Sequence, residues 1–134
     1  MPTARCVKEI VIRTANRVGL LKEISQLLSD MGINIQAVHV EATPEEAEVH
    51  LLTDAQLYAR EALVGAELPV EEREVVAVEL PNRPGFLRKI TDALARHGLD
   101  IHYLYATAAE GCGKSLVILS CSNNGKAVLT LRGR

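Results

Sequence analysis

Residues Ile10–Val40 recur, without a gap, as Val76–Ala106, 66 positions further on. The identities fall at turn residues and at apolar positions: Asn16/Asn82, Arg17/Arg83, Gly19/Gly85, Leu21/Leu87, Ile24/Ile90, Leu28/Leu94, Gly32/Gly98 and Ile35/Ile101. A repeat of this length makes the chain two copies of one supersecondary unit, which restricts the folds open to it more than any other signal. The copies are assigned to residues 1–72 and 73–134. Each is small enough that its core is thin and only marginally stable alone.

The period of the apolar residues sets the elements. Ile10 and Ile12 alternate as in a half-buried strand, as do Val76, Val78 and Leu80. A polar Asn-Arg-x-Gly turn follows, then helical spacing through Leu20, Leu21, Ile24, Leu27, Leu28 and Met31, and through Phe86, Leu87, Ile90 and Leu94. Gly32 and Gly98 stand where a left-handed residue closes a helix. Second strands are expected over 33–41 and 99–107. The first copy continues through a turn at 43–46, a third strand over 47–53, a helix over 54–64 capped by Asp54 and closed by Gly65, and a strand within 68–75. The order βαββαβ is the α+β, ferredoxin-like arrangement, an antiparallel sheet with helices on one face. The second copy offers a third strand over 115–121 and then either a helix over 124–131 or a short strand at 128–131. With no fourth strand left, its sheet is expected to present an open edge, and a partner subunit is expected to cover it.

Strand, Asn-Arg-Pro-Gly-Phe-Leu, helix, Gly-apolar-Asp/Asn-Ile, strand resembles the ACT domain, a regulatory ligand-binding module, and the pair resembles tandem ACT proteins. Asn82, Arg83, Pro84, Gly85 and Leu87 match the family motif, whereas the first copy has Val18 where the family favours Pro. The resemblance implies an amino-acid effector held between paired domains, against the loop of one and the start of the second strand of the other. The implied sites are Asn82, Arg83, Pro84, Gly85, Phe86 and Leu87 with Asn34, and Asn16, Arg17, Val18, Gly19, Leu20 and Leu21 with Asp100. Asp100 puts a carboxylate where an amide is usual, so the Asn82/Asn34 site is expected to be the better one. Whether the copies pair within one chain or across a dimer stays open.

Residue chemistry is compatible with that. Helix N-termini carry unpaired N–H groups and a positive dipole end, which suit a carboxylate. Gly19 and Gly85 admit close approach to the backbone, and an Asn amide offers both donor and acceptor. The same residues also read as ordinary helix-entry punctuation, with Asn as cap and Pro at a first helical position.

Other motifs carry less. Residues 108–115 satisfy the loose P-loop pattern, but the apolar run Leu116–Leu119 that follows reads as a strand, not the helix that motif needs. Antiparallel pairing across the 43–46 turn sets His39 opposite His50 and Glu41 opposite Glu48 on one face, a polar face before it is a metal site. Tyr103 and Tyr105 are expected on the face away from the helices, as a contact surface. Cys6, Cys112 and Cys121 are odd in number and lack metal spacing, which suggests free thiols in a reducing compartment.

A net charge of −2 and 3% aromatics argue against nucleic acid and against an anionic membrane. No apolar run is long enough to span a bilayer, and a cytoplasmic location is expected. No nucleophile–base pair converges, so no enzyme and no cofactor or metal is expected. The leading reading is a non-catalytic sensor that binds a small amino acid and signals to an enzyme, transporter or regulator, as a homodimer or other homo-oligomer. The other reading is a ligand-free interaction module that assembles through its sheet edge and the Tyr103/Tyr105 face.

Overall fold

The computed structural model describes residues 3–108 and 113–132. They run in the order β1 (Thr3–Ala15), α1 (Leu20–Asp30), β2 (Ile35–Ala42), β3 (Glu46–Thr53), α2 (Gln56–Gly65), β4 (Val70–Pro81), α3 (Phe86–Arg96), β5 (Ile101–Ala108), β6 (Lys114–Cys121) and α4 (Asn124–Arg132). The fold is α+β, and its strands and helices fall into two units. One is Lys8–Arg73, and the other joins Met1–Val7 to Glu74–Arg134.

In the first unit β3 is central, antiparallel to β1 (Ile10↔Leu51 through Ala15↔Glu46) and to β2 (His39↔His50, Glu41↔Glu48). The β2–β3 register is the one expected from the turn at 43–46. Leu20, Ile24 and Leu28 of α1 and Ala59 and Leu63 of α2 meet Ile10, Ile12, Val49 and Leu51 in one core. In the second unit β6 takes the central place, antiparallel to β4 (Val78↔Val117) and β5 (Tyr105↔Ile118). Ile90 and Leu94 of α3 and Val128 and Leu131 of α4 close its core over Val76, Val78 and Leu119. Both units bulge at the same point of the repeat, between Ile35 and Ala37 and between Ile101 and Tyr103.

Helix ends follow the repeat closely. Gly32 and Gly98 take φ of 72° and 68°. Beyond them Ile33 N–H donates to Leu28 O at 2.9 Å and Leu99 N–H to Leu94 O at 3.0 Å, the six-residue closure of a Schellman ending. Other endpoints differ from expectation. Asp54 does not cap α2; its carboxylate accepts from the N–H of Asn34 at 2.9 Å, and Ala55 holds the cap position. Gly65 stays inside α2, and the left-handed residue is Glu67 at φ 64°. Residues 128–131 are helical, so the short-strand alternative there is not the one adopted.

The cover for the second unit's sheet is also not the one expected. Among the described residues no strand follows α4, yet β1 is a hydrogen-bonded neighbour of β4. Ala4 is 1% exposed within the second unit's core, and Arg132 Nε donates to its carbonyl at 2.9 Å. Thr3–Val7 of the same chain, rather than a partner subunit, lies at this core. In the first unit the leading residues of β4 have the matching place, with Val70 packed against the core.

An amide side chain fixes the start of each unit. Gln56 accepts from Thr53 N–H at 3.0 Å and Oγ1 at 2.6 Å, and donates to Lys8 O. Asn124 accepts from Cys121 N–H at 3.0 Å and donates to Glu74 O at 2.9 Å. Lys8 and Glu74 are equivalent in the repeat, so two different residue types perform one task. Removal of residues 1–7 is expected to cost the second unit at least about 2 kcal/mol, from lost strand hydrogen bonds and core burial. Hydrogen exchange then accelerates at Val117 and Leu131 while Val49 keeps its protection; equal acceleration at all three would refute the assignment.

Candidate functional site

Both Asn-Arg-x-Gly loops enter their helices in one conformation. Gly19 and Gly85 are the N-caps, left-handed at φ 85° and 91°. The asparagines are therefore not caps, and Pro84 precedes the cap instead of opening the helix. A glycine cap has no side-chain oxygen, so the first-turn N–H groups need other acceptors. In α1, Leu20 N–H donates to Arg17 O at 3.3 Å and Glu23 N–H to Gly19 O at 2.9 Å. Among the described residues, Leu21 and Lys22 are the first-turn donors left over. The second loop repeats this: Phe86 N–H reaches Arg83 O at 3.4 Å and Lys89 N–H reaches Gly85 O at 3.0 Å.

Asn16 is anchored twice. Its N–H donates to Glu45 O and its Nδ2 to Thr43 O, both at 2.9 Å. Because Thr43 O accepts only, the amide is oriented, and Oδ1 is the atom it presents to an incoming donor. Arg17 is held in a 2.6 Å ion pair with Glu23. A cleft of about 260 Å³ gathers Asn16, Arg17, Gly19, Leu20, Leu21 and Lys22 over Val40, Ala47 and Val49. Beside the second loop, a cleft of about 380 Å³ is lined by Arg83 and Pro81 with Thr3, Glu79, Leu80, Gly113 and Lys114. Asn82, Gly85, Phe86 and Leu87 do not line that cleft. Asn82 N–H donates to Gly113 O at 2.7 Å, holding the loop to the start of β6.

Asn34 and Asp100 lie elsewhere. Asn34 N–H donates to the Asp54 carboxylate while Asn34 O accepts from Asp54 N–H, and Asp100 N–H donates to Ser122 Oγ while Asp100 O accepts from Ser122 N–H. Asn16 is at the Glu45 end of β3 and Asn34 at the Asp54 end, roughly 25 Å apart at strand rise. No single unit brings its own loop and its own second-strand start together.

Sequence reasoning missed Glu9. It is 0% exposed, and His50 Nδ1 donates to its Oε1 at 3.0 Å while His50 Nε2 donates to Glu48 Oε1 at 2.8 Å. Both ring nitrogens face carboxyl oxygens, an arrangement that favours the imidazolium over the neutral ring. Arg13 Nε completes the line at 3.3 Å from Glu48 Oε2. Alternation along β1 puts Glu9 on the face of Arg13, and this was the available signal. Burial alone favours neutral His50, but hydrogen bonds and charge from Glu9 and then Glu48 outweigh it and raise the ring above its usual range. Partial burial likewise favours neutral Glu48, and His50 and Arg13 overcome it, holding the carboxyl below its usual range. Among the described residues no group of His, Cys, Asp and Glu is arranged to hold a metal.

The remaining motifs resolve simply. Tyr103 and Tyr105 stack at 6.5 Å and 6°, but Tyr105 is 9% exposed, so the expected open tyrosine face is not what the fold presents. In the P-loop-like segment, β6 begins at Lys114, where that motif needs a helix; residues 109–112, with Cys112, lie outside the described residues. No helix of the described residues is long and apolar enough to cross a membrane.

The ACT domain family matches residues 8–60, inside the first unit. Among solved structures, a protein of Bacteroides thetaiotaomicron is similar at 26% identity, with 97% of this chain and 89% of that one covered and a TM-score of 0.88. The ligand-free regulatory subunit of aspartate kinase from Thermus thermophilus is similar at 20% identity, with 97% and 91% covered and a TM-score of 0.66. A structure of aspartokinase alpha and beta subunits is similar at 16%, with 98% and 95% covered and a TM-score of 0.64. The two aspartate kinase likenesses are likenesses of fold. No curated protein matches the chain.

The His50 relay gives a signed pH dependence. Its contribution with His50 raised is complete below about pH 6.5 and drains as pH climbs through the raised value. With Glu48 lowered, the contribution is complete above about pH 4.3 and is lost as pH falls through the depressed value. Urea unfolding between about pH 5 and 9 is expected to show declining stability on the alkaline side. His50→Gln should flatten that limb; a variant profile parallel to the parent's would exclude the relay as its source.

Proposed function

We propose that the chain is a non-catalytic regulatory protein whose two units are both ACT-like modules, the second using Thr3–Val7 where a fourth strand would stand. Its effector is a free amino acid bound at the Asn-Arg-x-Gly loops. The observation that carries this reading is the Asn16 cleft. Leu21 and Lys22 N–H groups at a positive helix end suit the carboxylate, and the oriented Oδ1 of Asn16 suits the ammonium. The match of residues 8–60 to the ACT domain family supports the same reading.

The second loop, Asn82–Leu87, is proposed as a further site of the same kind. Asn34 and Asp100 contribute only to a loop of another module copy, because each lies at the far end of its own unit. Output passes to a partner enzyme, transporter or regulator, or to a homo-oligomer, through different ligand affinities of two states.

A ligand that binds only the folded protein raises its melting temperature. A panel of free amino acids is expected to include at least one that shifts the midpoint, with Asn16→Ala removing the shift. Asn82→Ala reports the second loop in the same assay. A flat panel would sink the sensor reading in favour of an interaction module.

A further inference from the structure

We propose that the Asn16 cleft selects an amino acid with an aliphatic side chain, and that Val40 is the residue that sets this choice; the inference rests on the proposed amino-acid site. Its carriers are the side chains that the main-chain recognition leaves unused. Inside the cleft, Leu20, Ala47 and Val49 form an apolar floor that is almost wholly buried. Leu21 and Val40 each remain 40% exposed beside it. Val40 belongs to β2 and pairs with Val49, so it stands at the floor's margin and not on the helix.

A ligand with its carboxylate at the Leu21 and Lys22 N–H groups and its ammonium at Asn16 sends its side chain across a floor of Leu20, Ala47 and Val49 that offers no polar side chain. Of the two cations that line the cleft, Arg17 is paired with Glu23, and Lys22 belongs to the helix end that takes the carboxylate. An acidic, basic or amide side chain would lose water there without a partner, whereas an aliphatic one covers exposed Val40 and Leu21. The repeat supplies an internal contrast. Leu21 is matched by Leu87, but Val40 is matched by Ala106, which is exposed and adds far less apolar surface. Selection for an aliphatic chain thus belongs to the first loop, while both loops keep the same main-chain donors.

Calorimetric titration of the full chain with glycine, valine, threonine, leucine and asparagine separates these levels. Glycine has the carboxylate and ammonium alone. Valine and leucine are expected to bind at least about tenfold more tightly than their isosteres threonine and asparagine. Val40→Thr, itself isosteric and favourable in a strand, is expected to lower valine affinity about fivefold more than glycine affinity. Equal affinities within the isosteric pairs would overturn the aliphatic choice while leaving the amino-acid site standing. A Val40→Thr loss as large for glycine as for valine would remove Val40 from the selecting role. Failure of every ligand, glycine included, would bring down the site itself.

Discussion

The absence of a side chain at two helix caps governs this protein. At φ 85° and 91°, Gly19 and Gly85 occupy a conformation that L residues adopt only with strain. The chain thereby turns from strand to helix within four residues. The same choice deprives each first turn of the oxygen a Ser, Thr or Asp cap would provide. Asparagine is then released from capping. Asn16 is used instead to tie the loop to the β2–β3 hairpin, which builds a rigid wall beside the open N–H groups. Turn, wall and cleft are consequences of one backbone requirement.

Much of the fold was legible because the repeat and the apolar period act together. Element order, the closing glycines Gly32 and Gly98, and the pairing of His39 with His50 all follow from local spacing. What escaped is long-range. Gln56 and Asn124 reach carbonyls about fifty residues away, at Lys8 and Glu74, and no local pattern marks them. Glu9 read as an ordinary polar residue of a strand, since only the fold buries it beside His50. Asp54 looked like a cap because Asp before a helix usually is one, and here a competing backbone donor, Asn34 N–H, takes its carboxylate. The candidate loops were visible as motifs. Which atoms they present was not, because that depends on Thr43 and Glu23.

The units are alike in plan and unlike in chemistry. Equivalent positions carry Gln56 and Asn124 in one role with different reach, and Val40 and Ala106 beside equivalent loops. Two units of one plan thus share a loop geometry while the side chains beside it differ. The Glu9–His50–Glu48 line has no counterpart in the repeat, since Val75 stands at the position of Glu9 and Ile118 at that of His50.

The hydrogen bond from Arg132 to Ala4 joins residues 128 apart in sequence. A growing chain has made all of Lys8–Arg73 before α3 exists, so that unit has its elements at hand while synthesis continues. The second unit must wait for its last helix, with Thr3–Val7 already made and the core it joins not yet complete. Loop closure over such a span is entropically costly and slow relative to local pairing. Thr3–Val7 are therefore placed only after Lys8–Arg73 and α4 have been made, although they precede both in the sequence.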